Sequence, residues 1–175
     1  MKSIILIGPP CVGKSTIGRK LEDVLGIEYK SSGDIARSMG KETQKLIDNG
    51  NLAPEDEMRK QILKIISGNA PFILDGFPRN IDQFEFLKQN TEHELIFVVL
   101  KASSLILKNR SIVRNRSDDK SFNDRYSYYM NETYKIVKYI YDEPTDRNNI
   151  TLYNEYDYDI EYNIRKICKL YGFGV

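Results

Sequence analysis

The sequence predicts an α/β fold: a five-stranded parallel sheet with helices on both faces, arranged as three α/β/α layers. Three observations carry this expectation. Short, continuous apolar runs alternate with longer stretches of helical period. The runs are apolar throughout rather than at every second residue, so their strands have no solvent-facing side. Neither an internal repeat nor a low-complexity tract breaks the alternation.

The elements follow in order. Ile4, Ile5, Leu6 and Ile7 form the first strand, and helical period runs through 14–25. A weaker strand falls at 27–30, and a polar stretch at 33–53 leaves the alternation. Helical period returns at 55–67, followed by a strand at 72–74. Pro78 suits a first helical turn, which predicts a helix over 79–89 with Arg79 and Gln83 on one face. A strand at 95–100 and a helix at 102–114 come next. An arginine-bearing stretch at 111–120 is the second excursion, followed by helical period at 121–141, a strand at 150–153 and a helix at 158–171.

Composition narrows the function classes. The 175 residues suffice for one domain with a sizeable core. Lys plus Arg is 26 against 25 Asp plus Glu, a net charge of +1. That balance gives no whole-molecule attraction to nucleic acid or an anionic membrane, so an anion site must come from local clustering. The two cysteines, Cys11 and Cys168, cannot build a disulfide framework. With the single histidine, His93, they cannot complete a zinc site either. A reducing cytoplasm is the expected setting. The apolar run at 4–7 is too short for a signal peptide, and the run at 95–100 is too short to cross a bilayer. His93 is expected to be a surface residue at a strand start.

The residues Gly8-Pro9-Pro10-Cys11-Val12-Gly13-Lys14-Ser15 match a phosphate-binding loop, and they lie between the first strand and the first helix, as that motif requires. Small residues let backbone N–H groups turn toward phosphate oxygens, and the helix N-terminus adds a positive dipole end. Lys14 is expected to bridge the terminal phosphates and Ser15 to ligate Mg²⁺. The loop indicates a nucleoside triphosphate but does not separate GTPase, ATPase and kinase.

Other residues add chemistry. Asp75 ends an apolar strand, where a carboxylate can hold Mg²⁺ through water. Arg110 and Arg114 stand four apart with Arg116 close behind, a repulsive spacing that an anion would relieve. Planar guanidinium groups match the charge spread over a transferring phosphoryl group. No Asn-Lys-x-Asp run exists to read guanine.

Four segments, in this order and spacing, resemble adenylate kinase and its nucleoside monophosphate kinase relatives, from Ile4 to about Tyr141. They are Ser31-Ser32-Gly33-Asp34-Ile35-Ala36-Arg37; Gly50-Asn51-Leu52-Ala53-Pro54; Leu74-Asp75-Gly76-Phe77-Pro78-Arg79-Asn80 with Gln83 beyond; and Arg110, Arg114, Arg116, Asp118, Asp119 and Arg125. The Asp-Gly-Phe-Pro-Arg run is the most specific part.

The resemblance implies a P-loop kinase core over 1–31, 54–110 and 120–175, a small monophosphate-binding insert at about 32–53 and a short lid at about 111–119. It implies reversible, Mg²⁺-dependent phosphoryl transfer from ATP to AMP, giving two ADP. Residue by residue, it implies that Gly8, Pro9, Pro10, Cys11, Val12, Gly13, Lys14, Ser15 and Thr16 cradle ATP. Asp34 and Asp75 would order the Mg²⁺ hydration shell beside Ser15. Ser32, Arg37, Arg79 and Gln83 would bind AMP, with Leu52, Ala53 and Gly76 nearby. Arg110 would stack on the ATP base, and Arg114, Arg116 and Arg125 would reach the phosphoryl group between the nucleotides.

The chain departs from the family pattern in three ways. Cys11 and Ser15 stand where the family usually has Gly, the monophosphate insert is trimmed, and the lid is too short for a zinc knuckle. Gln83 favours AMP, because a carboxamide both donates to and accepts from the adenine edge. The same-class alternative is a UMP/CMP kinase, and the alternative of another class is a non-catalytic nucleotide-binding scaffold. A monomer is expected, since one chain's cleft can hold both nucleotides, with neither nucleic acid nor membrane as partner.

Overall fold

A computed structural model describes residues 1–40, 43, 54–114, 122–142 and 148–173. The chain runs β1 (Lys2–Ile7), α1 (Lys14–Leu25), β2 (Glu28–Ser31), α2 (Ser32–Ser38), α3 (Glu55–Ile66), β3 (Phe72–Asp75), α4 (Ile81–Gln89), β4 (Glu94–Lys101), α5 (Ser104–Arg114) and α6 (Phe122–Tyr128). A π-helical turn (Tyr129–Thr133), α7 (Tyr134–Asp142), β5 (Asn149–Tyr153) and α8 (Asp157–Tyr171) complete it.

The five strands form one sheet in the order β2-β3-β1-β4-β5, with every pairing parallel. Successive side chains of a strand point to opposite faces. On β1, Ile4 and Leu6 join a core with Leu21 of α1 and Ile164 and Ile167 of α8. Ile5 and Ile7 join a second core with Ile62 and Ile66 of α3, Leu87 of α4 and Val137 of α7. The two clusters give the three expected layers. Because all strands run the same way, the ends of β1, β2, β3 and β5 open onto one edge. In such a sheet ligands bind there, beside the strand where the connection order reverses.

Three expectations need correction. Helix α4 begins at Ile81, not at residue 79, because Asn80 takes the N-cap and its side chain accepts from the Gln83 N–H. Pro78, joined to Phe77 by a cis bond, and Arg79 therefore lie ahead of the helix. Arg79 and Gln83 meet through a backbone-to-side-chain hydrogen bond rather than across one helix face. The helical stretch at 121–141 is interrupted by the π-helical turn Tyr129–Thr133. His93 is half-buried: its Nε2 lies 2.8 Å from the Gly68 carbonyl and its Nδ1 2.8 Å from Ser3 Oγ. A carbonyl only accepts, so Nε2 carries the hydrogen and Ser3 donates to Nδ1, while Ser3 Oγ accepts from the Phe72 N–H.

The first turns of the expected monophosphate insert form α2, capped by Ser31 and packed beside α3. Beyond Gly40 the rest of that insert, apart from Thr43, and lid residues 115–119 lie outside the described residues.

Candidate active site

The loop after β1 is built to hold its backbone open. Gly13 has φ 96°, and a Cβ there would overlap the amide of Asn154. Asn154, just beyond β5, is buried, and its Nδ2 donates to the Val12 carbonyl over 2.7 Å. Its own N–H donates to the Lys101 carbonyl at the end of β4. One residue, through its side chain and its backbone N–H, thus ties the loop to the ends of β5 and β4. Cys11 sits at φ 63°, left-handed backbone that costs a side chain free energy and costs glycine nothing.

Lys14 opens α1, and its Nζ donates to the carbonyls of Gly8 and Pro9, 2.9 Å each. Desolvation lowers its pKa below the ordinary lysine value, with Asp75 opposing and Arg79 and Arg125 adding to the fall. Asp75, at the end of β3, is 5% exposed. Its Oδ2 accepts from Ser15 Oγ at 3.0 Å and from the Tyr29 hydroxyl at 2.7 Å. Burial and the Asp75 charge push the Tyr29 phenol well above its ordinary value, so it is a fixed donor.

Arg79 closes the floor of the site. Its Nε donates to the Gly76 carbonyl at 2.7 Å and its Nη2 to Ser32 Oγ at 3.1 Å, while Ser32 Oγ donates to the same carbonyl. Gly76 has φ 76°, and a Cβ there would lie 2.5 Å from Ser32 Oγ. The Arg79 carbonyl accepts from Thr133 Oγ1 at 2.7 Å, so the π-helical turn anchors this segment. Desolvation lowers the Arg79 pKa, opposed by Asp75 and Tyr128 and deepened by Arg125. Arg79 and Arg125 thus add to the positive charge around Lys14 while Asp75 opposes it, an excess of positive charge suited to phosphate.

Gln83 lies beyond Arg79 and is 6% exposed. Its Oε1 accepts from the Arg79 N–H at 2.8 Å, and its Nε2 donates to the Glu55 carboxylate at 3.1 and 3.2 Å. On the β2 side, Asp34 accepts from Arg37 at 2.5 Å and forms an ion pair with Arg19 at 3.6 Å. Arg19 lies over the Tyr29 ring, 5.3 Å from its centroid, which links α2 to the Asp75 cluster. Arg110 of α5 donates to the Asn154 and Glu155 carbonyls at 2.7 and 3.0 Å. Asp159 accepts from the Glu155 and Tyr156 N–H groups, which fixes that loop at the start of α8.

Lys14, Ser15, Ser32, Asp75, Gly76, Arg79, Gln83 and Arg125 therefore gather at the carboxyl edge of β1 and β3. Asp34 and Arg37 flank them from α2, and Arg110 stands beside the loop after β5. Arg114 closes α5. Its side chain, together with Arg116, Leu52 and Ala53, lies outside the described residues. Sequence reading missed Tyr29, Glu55, Thr133 and Asn154. Only Tyr29 carried a local signal, a bulky phenol in a weak edge strand two residues before the Ser31 cap.

Among the described residues, no three His, Cys, Asp or Glu side chains cluster as a metal site. A magnesium ion held mainly through water and phosphate needs less. Asp75 offers a hard oxygen, Oδ1, that takes no hydrogen bond from a described residue, beside the exposed Ser15 hydroxyl. That donor set fits Mg²⁺.

A family model described as adenylate kinase matches residues 6–145. The chain is 32% identical to an adenylate kinase of Corynebacterium diphtheriae, over 80% of this chain and 86% of the relative. It is 31% identical to an adenylate kinase of Mycobacteroides abscessus, over 78% and 84% of the two chains. A Borrelia garinii subsp. bavariensis adenylate kinase is 33% identical, over 75% of this chain and 66% of the relative.

Proposed function

The chain belongs to the adenylate kinase family, and on that premise we propose how its residues carry the family's reaction, reversible phosphoryl transfer from ATP to AMP. The observation that carries this reading is the phosphate loop with Ser15 bonded to Asp75 and the Arg79 guanidinium held beside it at Gly76 and Ser32.

ATP binds with its phosphates in the loop from Gly8 to Thr16. Lys14 then exchanges the Gly8 and Pro9 carbonyls for phosphate oxygens. Ser15 and Asp75 would hold Mg²⁺, Asp75 through water, with Asp34 nearby. When bound, the ion draws charge from the phosphates and aligns them. AMP enters between α2 and α4, its phosphate met by Arg37 and Arg79 and its base by Gln83. Arg125, with Arg114 and Arg116 from the lid, gathers charge on the phosphoryl group in flight. Arg110 presents its guanidinium plane to the ATP base while its edge holds the Asn154 and Glu155 carbonyls.

No general base is required, because positioning and charge stabilisation lower the barrier. The chain acts as a cytoplasmic monomer without zinc, and no helix of the described residues is long and apolar enough to cross a membrane.

A coupled assay of the purified chain with MgATP and each of AMP, CMP, UMP and GMP tests the substrate. AMP is expected to be turned over fastest, and a preference for CMP or UMP would overturn that assignment.

A further inference from the structure

The Gln83 carboxamide is fixed in one orientation. The Arg79 N–H can only donate, so it must meet Oε1, and a carboxylate only accepts, so the Glu55 side must carry Nε2. A flipped amide would set donor against donor and acceptor against acceptor. Glu55 is itself braced: Arg59 Nε donates to its Oε1 at 3.1 Å, and the Arg59 guanidinium lies over the Phe86 ring, 5.3 Å from the centroid. Phe86 packs edge-on against the buried Phe77. Arg79 N–H and Glu55 thus hold the amide from its two ends.

A primary amide has two N–H donors and two acceptor lone pairs on oxygen. One of each is used here, with the Glu55 oxygens sharing a three-centre bond. Among the described residues one N–H and one lone pair are left, and the two bonds fix which end of the amide carries each. Adenine presents a ring acceptor beside an amino donor, and this order matches it. Hypoxanthine presents the reverse, a ring N–H beside an oxo acceptor, and would need the flipped amide. Cytosine shares adenine's order, so this amide does not separate the two.

We propose that Glu55 is the specificity-determining positioning residue for the monophosphate site: by holding the Gln83 amide unflipped, it selects a base with an amino group beside a ring acceptor and rejects its oxo counterpart. This rests on the reading of Gln83 as the base contact made above. It concerns a residue that would not touch the nucleotide.

The decisive comparison is AMP against IMP, which differ only at that edge. The measurements are kcat/KM and equilibrium binding for the wild type, Glu55→Gln, Gln83→Ala and the double variant. Glu55→Gln keeps the side-chain volume but lets position 55 donate as well as accept, so only the Arg79 N–H still opposes a flipped amide. It is expected to narrow the AMP/IMP ratio about tenfold, a step equal to about 1.4 kcal/mol. The ATP KM should stay put. In the Gln83→Ala background it should change nothing further, which a merely structural role would not produce. Glu55→Ala, at a side chain 47% exposed on the first turn of α3, is a second variant with the same expectation.

A ratio unchanged by Glu55→Gln but collapsed by Gln83→Ala overturns the proposal and leaves the AMP reading standing. Equal losses for AMP and IMP also overturn it. A ratio unmoved by Gln83→Ala overturns the base assignment and the proposal together.

Discussion

Tyr29 donates its phenol hydrogen to Asp75 Oδ2 over 2.7 Å, from a ring laid against Gly18 of α1 so closely that a Cβ there would overlap it. The carboxylate thus has a donor independent of Ser15, the residue proposed to engage nucleotide and metal. Tyr29→Phe keeps the ring and removes the donor to a buried charge. It is expected to cost about 1.5–3 kcal/mol, read as a lower urea midpoint at unchanged slope. An unchanged midpoint would mean that the bond contributes nothing to stability.

Arg125 raises the positive charge around Lys14 and Arg79, and it should matter most when charge builds on the transferring group. Arg125→Ala is expected to lower kcat by about 10²–10³ with a much smaller change in the KM for ATP. A rise in KM with kcat intact would show that it acts in ground-state binding instead.

The Cys11 thiol is the only cysteine side chain among the phosphate-loop residues, and Cys168 is buried on α8. Alkylation is therefore expected to abolish activity by filling the loop, and saturating ATP to protect it. Cys11→Gly should remain active and resist the reagent, since φ 63° suits glycine. Inactivation at the same rate with and without ATP would place the thiol away from the nucleotide.

In the proposed reaction Lys14 binds phosphate in its charged form, and desolvation lowers its pKa below the ordinary lysine value. As pH rises through that lowered value the proton leaves and the grip on ATP weakens. Bound ATP adds negative charge beside the ammonium and raises the value again. The alkaline limb of kcat/KM, which reports the free enzyme, should lie at lower pH than the limb of kcat, which reports the complex. Coincident limbs would contradict this.

Much of the frame was legible from local pattern. The buried strand of Ile4, Ile5, Leu6 and Ile7 and the helix from Lys14 were readable because burial on both faces and the loop motif leave their marks in consecutive residues. The start of α4 was misplaced because Pro78 outweighed the Asn80 cap, although both signals were in the sequence. The π-helical turn was not legible, since the Thr133 bond to the Arg79 carbonyl spans 54 positions and leaves helical periodicity intact. Asn154 is invisible for the same reason, its partner lying 142 positions away, and the local signal at Tyr29 does not reveal Asp75, 46 positions away. Local reading also took Gln83 as a base contact without the two groups that orient it.

The central claim is that the cluster of Lys14, Asp75, Arg79 and Arg125 transfers a phosphoryl group between ATP and AMP. Phosphorus NMR of the purified chain with Mg²⁺, ATP and AMP follows that transfer directly, with Arg79→Ala as the companion sample. The wild type is expected to convert the pair to two ADP and return it on adding ADP alone. The variant should be slower by about 10² or more with its circular dichroism unchanged. Arg79→Ala transferring phosphate at the wild-type rate, or ATP giving ADP and free phosphate without consuming AMP, would contradict the account.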